Sequence, residues 1–386
     1  MVNPSKPNVA LITLPIGNKI AESFVTKSLK LLEPLCGELF LITGNFPTRI
    51  SGQVHEININ CPKSYGEKRP VWIRILRFLL IQLRISLKLI QISSRIDIAL
   101  FHLGGELNLI PIFCSKLFGK KTALFYYGTQ KSREMKLNEP PGTGKVIFPY
   151  VARALERIIF CLVDKVAVEA ESTIEDGPFG RHKGKVSANG AFYVDTNRFK
   201  LERELKDRKE LVGLICSLVP KKGVINLIDA IPLLLEKLPD IEFLIGGSGP
   251  LFNEIKDRLE RDRLSDKVHL TGWLSENGVV DYLNQMKLFI LPSYEEGVPN
   301  IILEAMACGT PVLTTPVGGI PDVIKDGKTG FILNDNSAES IARGTIRALN
   351  YPKLLEITKS ARTLIESKYS YTAAVQRYEN ILGGLC

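Results

Sequence analysis

The sequence predicts an α/β protein built from two doubly wound parallel-sheet domains. Three observations carry that expectation. Short apolar runs of strand length alternate with longer stretches of helical period, the pattern of parallel strands covered by helices on both faces. The alternation is gone through twice, on either side of the turn-rich word Asn189-Gly-Ala-Phe-Tyr-Val-Asp-Thr-Asn-Arg-Phe199. The length of 386 residues is too great for one typical core and suits two.

In chain order, Asn8–Leu14 reads as a buried strand, Ile20–Leu35 as a helix and Glu38–Thr43 as the next strand. An irregular stretch leads into a long helical run from about Pro70 to Ser93. Asp97–His102 (DIALFH) and Lys121–Tyr127 (KTALFYY) read as strands, with a helix around Leu107–Phe118 between them. Met135–Lys145, with its Asn-Glu-Pro-Pro-Gly-Thr-Gly, is a loop. Tyr150–Val163 is helical and Lys165–Glu169 is a strand. After the turn-rich word the second round begins with strand Glu210–Ser217, helix Val224–Leu235, strand Ile241–Gly246 and helix Leu251–Arg261. Strand Lys267–Thr271, a helix at Val279–Gln285 and strand Leu288–Leu291 complete it. Ligands of such sheets bind beyond the carboxyl ends of the strands.

Composition narrows the function classes. Apolar residues make up 45% and charged ones 24%, an ordinary globular balance. The seven cysteines (Cys36, Cys61, Cys114, Cys161, Cys216, Cys308, Cys386) are odd in number and form no CxxC pair. That pattern points to a reducing cytoplasm and away from a disulfide framework or a zinc site. The four histidines show no ligand spacing, so no dedicated metal site is expected. The first apolar run lacks the basic start and cleavage site of a signal peptide. Charge is uneven: residues 1–200 carry 28 Lys and Arg against 16 Asp and Glu, a net of +12, and the remainder is −3. The N-terminal half is therefore expected to meet something anionic.

One stretch, SYEEGVPNIILEAMACGTPVLTT (Ser293–Thr315), carries chemistry. On one continuous helix Glu296 and Glu304 would sit about 80° apart, a poor arrangement for a working pair. Gly297 permits unusual dihedrals and Pro299 suits a first helical position, so the helix is expected to start at Pro299 and end before Gly309. Glu296 then lies on the preceding loop and Glu304 on the second turn. Between them stands a helix N-terminus with free amides, an anion site. Two hydroxyl-binding carboxylates flanking a phosphate-binding helix end would fit a sugar nucleotide.

In these words the chain resembles the retaining glycosyltransferases of family 4, which share the two-domain GT-B fold. The E-x7-E segment EGVPNIILE (Glu296–Glu304) is its most specific element. LPSYEEG, EAMACGTPV and VGGIPDVIKDGKTGFIL surround it, preceded by SLVPKKG (Ser217–Gly223), LIGGSGP (Leu244–Pro250) and VHLTGWL (Val268–Leu274). The resemblance implies an N-terminal acceptor domain (1–190), a nucleotide-sugar domain (191–367) and a terminal segment (368–386) whose helix Tyr371–Leu382 crosses back to the first. It implies that Glu296 contacts donor-sugar hydroxyls and that Glu304 accepts from the ribose diol, a task that suits a carboxylate. Backbone amides of Gly297, Val298 and Asn300, on either side of Pro299, would receive the diphosphate or the sugar, where the helix dipole favours negative charge. Lys222 matches the lysine that neutralises the departing diphosphate.

Two positions depart from the family pattern. Ser217 stands in a slot often held by arginine, and Lys221 supplies part of that charge as a point charge rather than a bidentate fork. Tyr127, before Gly128, stands where many relatives have a histidine, and His102 at the end of the preceding strand is a candidate substitute. Gly17 matches a glycine loop that approaches the phosphates, and Trp273 and Leu274 lie where backbone would contact the base. The resemblance implies transfer with retention, and the absence of a DxD triplet implies that no metal is required. The donor would be a UDP-, GDP- or ADP-sugar and no cofactor is expected.

The word RPVWIRILRFLLIQLRISLKLIQISSR (Arg69–Arg95) suggests a further partner. On a helix, Arg74, Arg77, Arg84, Lys88 and Arg95 fall along one side, and the rest is heavily apolar. Five charges spoil a transmembrane span but suit an interfacial helix drawn to anionic lipid. The alternative is a core helix whose basic stripe faces water. Nucleic acid is not expected, because no stacking aromatics interleave the charges. The expectation is a cytoplasmic enzyme, peripheral at the membrane face, acting on a glycan or lipid-linked acceptor. A sugar-nucleotide epimerase on the same fold and a catalytically silent relative are the rival readings.

Overall fold

The computed structural model describes residues 6–16, 19–46, 54–61, 70–127, 147–189 and 193–385. The chain divides into two compact units, Met1–Phe192 with Ala374–Cys386, and Tyr193–Ala373.

The first unit holds seven strands: β1 (Val9–Ile12), β2 (Leu39–Thr43), β3 (Val54–Asn58), β4 (Ile98–Phe101), β5 (Lys121–Tyr126), β6 (Lys165–Val168) and β7 (Val186–Ala188). They form one parallel sheet in the order β3-β2-β1-β4-β5-β6-β7. Every residue of β1, β2 and β4 is buried, as strands covered on both faces must be. The helices are α1 (Lys19–Leu32), α2 (Val71–Ile92), α3 (Leu109–Leu117), α4 (Ile147–Leu162) and α5 (Glu171–Asp176). Phe40, Phe101, Leu124 and Tyr126 of the sheet meet Ile81, Ile85 and Leu89 of α2 in one core. Tyr126 stands edge-on to Phe160 and Phe179, with ring centres 5.7 and 5.4 Å away.

The boundaries differ from expectation in physically legible ways. Helix α1 ends at Leu32 rather than Leu35, because Pro34 brings no amide hydrogen, and Glu33–Leu35 tightens into a 3-10 turn. Strand β3, inside the stretch that reads as irregular in the sequence, is an edge strand paired with β2 along all five residues. Its polar side chains face solvent, so it has no apolar run to betray it. Helix α4 begins at Ile147, three residues before Tyr150. The loop expected at Met135–Lys145 lies outside the described residues.

The second unit holds β8 (Leu211–Ile215), β9 (Glu242–Gly246), β10 (Val268–Gly272), β11 (Leu288–Leu291), β12 (Val312–Thr314) and β13 (Phe331–Ile332). These form a parallel sheet in the order β10-β9-β8-β11-β12-β13. Its helices are α6 (Val224–Leu235), α7 (Phe252–Arg261), α8 (Glu276–Gln285), α9 (Asn300–Ala307), α10 (Ile320–Val323), α11 (Ala338–Leu349) and α12 (Leu354–Leu364). Helix α8 starts three residues before the expected Val279, because the Ser275 hydroxyl caps it by accepting from the Gly278 amide at 3.2 Å. Arg208, only 4% exposed, donates to the carbonyls of Arg203, Leu283, Met286 and Cys308 and to the Thr310 hydroxyl. That fan of bonds ties the chain ahead of β8 to the ends of α8 and α9.

A last helix, α13 (Tyr371–Gly383), begins in the second unit and from Ala374 onward belongs to the first. There Tyr378 stacks on Phe125 of β5 at 5.3 Å, and Arg377 donates to the Asn189 carbonyl.

Each sheet reverses its winding once, between β1 and β4 in the first unit and between β8 and β11 in the second. Loops leaving two such neighbours turn away in opposite directions and open a crevice at the carboxyl ends of the strands.

Candidate functional site

In the second unit the loops that follow β8 and β11 meet at this reversal. After β8 the chain makes a 3-10 turn at Pro220–Lys222 and enters α6 through Gly223, whose φ is +67°. A Cβ on Gly223 would stand 2.1 Å from the Pro292 carbonyl oxygen, so only glycine lets this turn press against the loop after β11. The Tyr294 amide then donates to the Lys221 carbonyl at 2.8 Å, joining the two loops.

That approach brings charge together. The Lys222 Nζ lies 2.6 Å from Glu296 Oε1, with side chains only 15% and 7% exposed. The Ser293 hydroxyl donates to the same Oε1 at 2.6 Å. A carboxylate taken out of water needs such partners, and this one has a cation and a hydroxyl. Its backbone is fixed as well. Gly318, with φ +58°, packs so close that a Cβ there would stand 1.8 Å from the Glu296 carbonyl oxygen. The Gly319 amide donates to the Gly297 carbonyl at 2.9 Å. Behind this loop Asn336 donates to Pro292 and Thr315 to Ser293, both to main-chain carbonyls.

Helix α9 follows. Pro299 is its N-cap rather than its first residue, and Asn300 opens the helix. Val298 is buried, while Gly297, Pro299 and Asn300 are half-buried around it. Glu304 is half-buried on the second turn. The first amides of α9 thus stand between Glu296 and Glu304, the polarity that receives an anion. Lys221 and Ser217 are exposed beside the turn. Leu274 is half-buried and Trp273 is 70% exposed, both just past the end of β10. Cys216, next to the ion pair, is no nucleophile: burial pushes its thiol up to about 12.

In the first unit the ends of β4 and β5 carry His102 and Tyr127. The Tyr127 hydroxyl lies 2.5 Å from His102 Nε2, and the Ser28 hydroxyl of α1 lies 2.9 Å from the same nitrogen. His102 is fully enclosed, and burial pulls its pKa down to about 3, so the ring is neutral. Tyr127 is half-buried; burial pushes its phenol well above the usual range, with Tyr378, Glu169 and Glu106 adding to the push. A ligand at this end of the sheet would meet the phenol, with the imidazole behind it. Gly17 lies outside the described residues.

Sequence reasoning missed Ser293, Ser28 and Tyr378. Ser293 carried only proximity as a signal, standing three residues before Glu296 on the same loop. Ser28 and Tyr378 carried none, because their sequence neighbours are ordinary helix.

Among the described residues no group of three or more His, Cys, Asp or Glu stands together as a metal-ligand set. The described cysteines are free. Residues 195–366 match the family described as glycosyl transferases group 1. The chain is 30% identical over 194 residues to the phosphatidylinositol N-acetylglucosaminyltransferase GPI3 subunit of Saccharomyces cerevisiae, covering 49% of this chain and 42% of that one. It is 27% identical over 235 residues to the Staphylococcus aureus capsular polysaccharide biosynthesis glycosyltransferase CapM, covering 57% and 62%. The chain thus spans about two-fifths to three-fifths of the length of these relatives. Among solved structures it is similar to Anabaena HepE in complex with UDP, with TM-score 0.74, 16% identity and coverage of 97% and 100%. It is also similar to sucrose-phosphate synthase from Thermosynechococcus elongatus, with TM-score 0.75, 16% identity and coverage of 98% and 99%.

Proposed function

We propose that this chain, which carries the glycosyl transferases group 1 region in a GT-B fold, moves a sugar from a nucleotide diphosphate onto a hydroxyl of a glycan or lipid-linked acceptor. The observation that carries the reading is the buried Lys222–Glu296 pair at the reversal of the second sheet, beside the N-terminus of α9. A nucleotide sugar has three parts that such a place can take. The diphosphate would lie against the Lys222 ammonium and the first amides of α9. The ribose diol would be taken by Glu304, and the sugar hydroxyls by Glu296. Ser217, Lys221, Trp273 and Leu274 border the same loops and would line the diphosphate and base.

As the bond to the anomeric carbon breaks, charge grows on the leaving phosphate oxygen. A fixed ammonium stabilises that charge more in the transition state than in the ground state, which makes Lys222 the principal catalytic group. Glu296 is held at once by Lys222 and Ser293. So restrained, it suits the acceptance of hydroxyl hydrogen bonds better than attack on carbon. The acceptor hydroxyl would then approach on the face the diphosphate leaves and pass its proton to a phosphate oxygen, retaining the configuration. No step of this scheme needs a metal ion or a cofactor. Tyr127, backed by His102, would meet a hydroxyl of the acceptor at the end of the first unit's sheet.

Calorimetry with UDP-, GDP- and ADP-sugars tests the reading, followed by product analysis with a hydroxyl acceptor and with chelator present. One nucleotide sugar should bind, and Glu304→Gln should weaken it at least tenfold, because charge-assisted bonds to the diol are each worth about 1.5–3 kcal/mol. Binding to none of the three refutes the proposal. Donor turnover with no acceptor present would replace transfer by epimerisation.

A further inference from the structure

Helix α2 is apolar on two opposite sides. Ile81, Ile85 and Leu89 are buried in the core of the first unit. At 100° per residue, Leu76, Leu83 and Leu87 fall on the far side, and they are 51%, 48% and 59% exposed. Trp72, near the start of the helix, is 67% exposed on the same side, and Ile90, near its end, is 38% exposed there. The surface continues onto α3, which packs against α2. Phe118 and Ile90 line one shallow groove, and Phe113 and Leu117 are 51% and 68% exposed. Scattered apolar residues on a surface need no explanation, but a row of them along the whole length of one helix, meeting Phe118 of the next segment in a groove, does.

Charge says what would cover it. Arg77, Arg84 and Lys88 run along one border of the exposed apolar face, and Val71–Ile92 contains no acidic residue. Among the described residues none of these three cations, nor Arg74, forms an ion pair. Arg84 donates instead to the Asn60 carbonyl and Lys88 to the Gln91 side chain. A second copy of this chain would bring the same basic border against itself, and like charges would oppose the contact. No helix among the described residues is long and apolar enough to cross a membrane. An apolar face with a tryptophan at one end and basic side chains along its edge is the shape that lies in a lipid interface. There the cations reach headgroup phosphates while leucines enter the acyl boundary.

We infer that α2 and α3 form a platform that docks the first unit onto an anionic lipid bilayer by shallow insertion, with Trp72, Leu76, Leu83 and Leu87 as the inserted residues. This goes beyond attraction of a basic stripe, because the leucines do the holding. It does not depend on the transferase reading, since docking can be measured with no donor or acceptor present.

The test is co-sedimentation of the full chain with vesicles of phosphatidylcholine alone and of phosphatidylcholine mixed with phosphatidylglycerol. The protein should bind the mixed vesicles at least tenfold more tightly. Leu76→Ser/Leu83→Ser/Leu87→Ser removes only outward side chains, so folding should survive, and binding should fall at least tenfold at every salt concentration. Arg77→Glu/Arg84→Glu/Lys88→Glu should abolish the preference for anionic lipid. If the serine variant binds as the parent does, contact is purely electrostatic and insertion is refuted. Equal, negligible sedimentation with both vesicles refutes docking altogether. A parent that sediments as a dimer in the ultracentrifuge, with a monomeric serine variant, would assign the platform to a second copy instead.

Discussion

Replacing Lys222 by methionine keeps most of its volume and removes its charge from the one buried ion pair described beside α9. Glu296, 7% exposed, would then hold its charge against the Ser293 hydroxyl alone. Removing one partner of a buried pair costs about 3–5 kcal/mol, because the other charge is stranded. Lysine keeps 15% exposure and Ser293 remains, so the lower end, about 3 kcal/mol, applies here. For a cooperative unit of this size each kcal/mol is about 2–4 °C, so the midpoint of the second unit should fall by about 6–12 °C. Adding Glu296→Gln to Lys222→Met removes the stranded charge and should recover part of that loss. The double-mutant cycle should show a coupling of at least about 1 kcal/mol. Thermal unfolding followed by circular dichroism, with and without nucleotide sugar, measures all four proteins. Donor binding by Lys222→Met should weaken less than its turnover, since leaving-group charge peaks in the transition state. An unchanged midpoint for Lys222→Met, or strictly additive effects, would refute the buried pair and with it the catalytic argument.

Gly223→Ala should destabilise the second unit by at least about 2 kcal/mol in urea unfolding, because it forces a left-handed φ and a clash with the Pro292 carbonyl. It should also weaken donor binding by displacing Lys222, and an undisturbed protein would show that the two loops do not meet. For His102 the sign follows from a folded pKa of about 3 against an ordinary 6.5. The unfolded chain takes up the proton first, so its contribution is complete above about pH 6.5 and is lost as pH falls towards 3, at about 1.4 kcal/mol per pH unit. His102→Gln should therefore flatten the fall in stability between about pH 6.5 and 4.5, read from urea midpoints; an identical slope would mean the ring is not buried neutral.

Much of this was legible in the sequence, and the reasons are specific. The fully buried strands, such as β4 and β11, stand out because parallel strands covered on both faces are continuous apolar runs. The pairing of β3 did not, because an edge strand with His55 and Glu56 facing out resembles loop. The glycine and proline around Glu296 placed one carboxylate on a loop and the other on a helix, which the structure repeats with Pro299 as cap. What was not legible was partnership. The 2.6 Å contact of Lys222 with Glu296 joins residues 74 positions apart, and only the order of strands brings their loops together. His102 was named as a candidate from its place at a strand end; its enclosure by Ser28 and Tyr127 depends on side chains from other elements. For α2, apolar periodicity counted the hydrophobic residues but not how many the core would accept.

The return of α13 to the first unit has a consequence for the order of assembly. The ribosome delivers residues 193–373 before Ala374–Cys386, so the second unit has its whole sequence while the first still lacks a piece. Until that piece arrives, Phe125 lacks the Tyr378 ring that stacks on it, and Arg377 cannot reach the Asn189 carbonyl. The unit that begins synthesis first is therefore the one completed last. A fragment cut at the first crossing, near residue 192, would lack the ring that stacks on Phe125 and the side chain that reaches the Asn189 carbonyl, and should be less stable than the whole unit. Dissection of the chain would do better to keep residues 374–385, joined by a short linker to residue 189, than to follow the linear sequence.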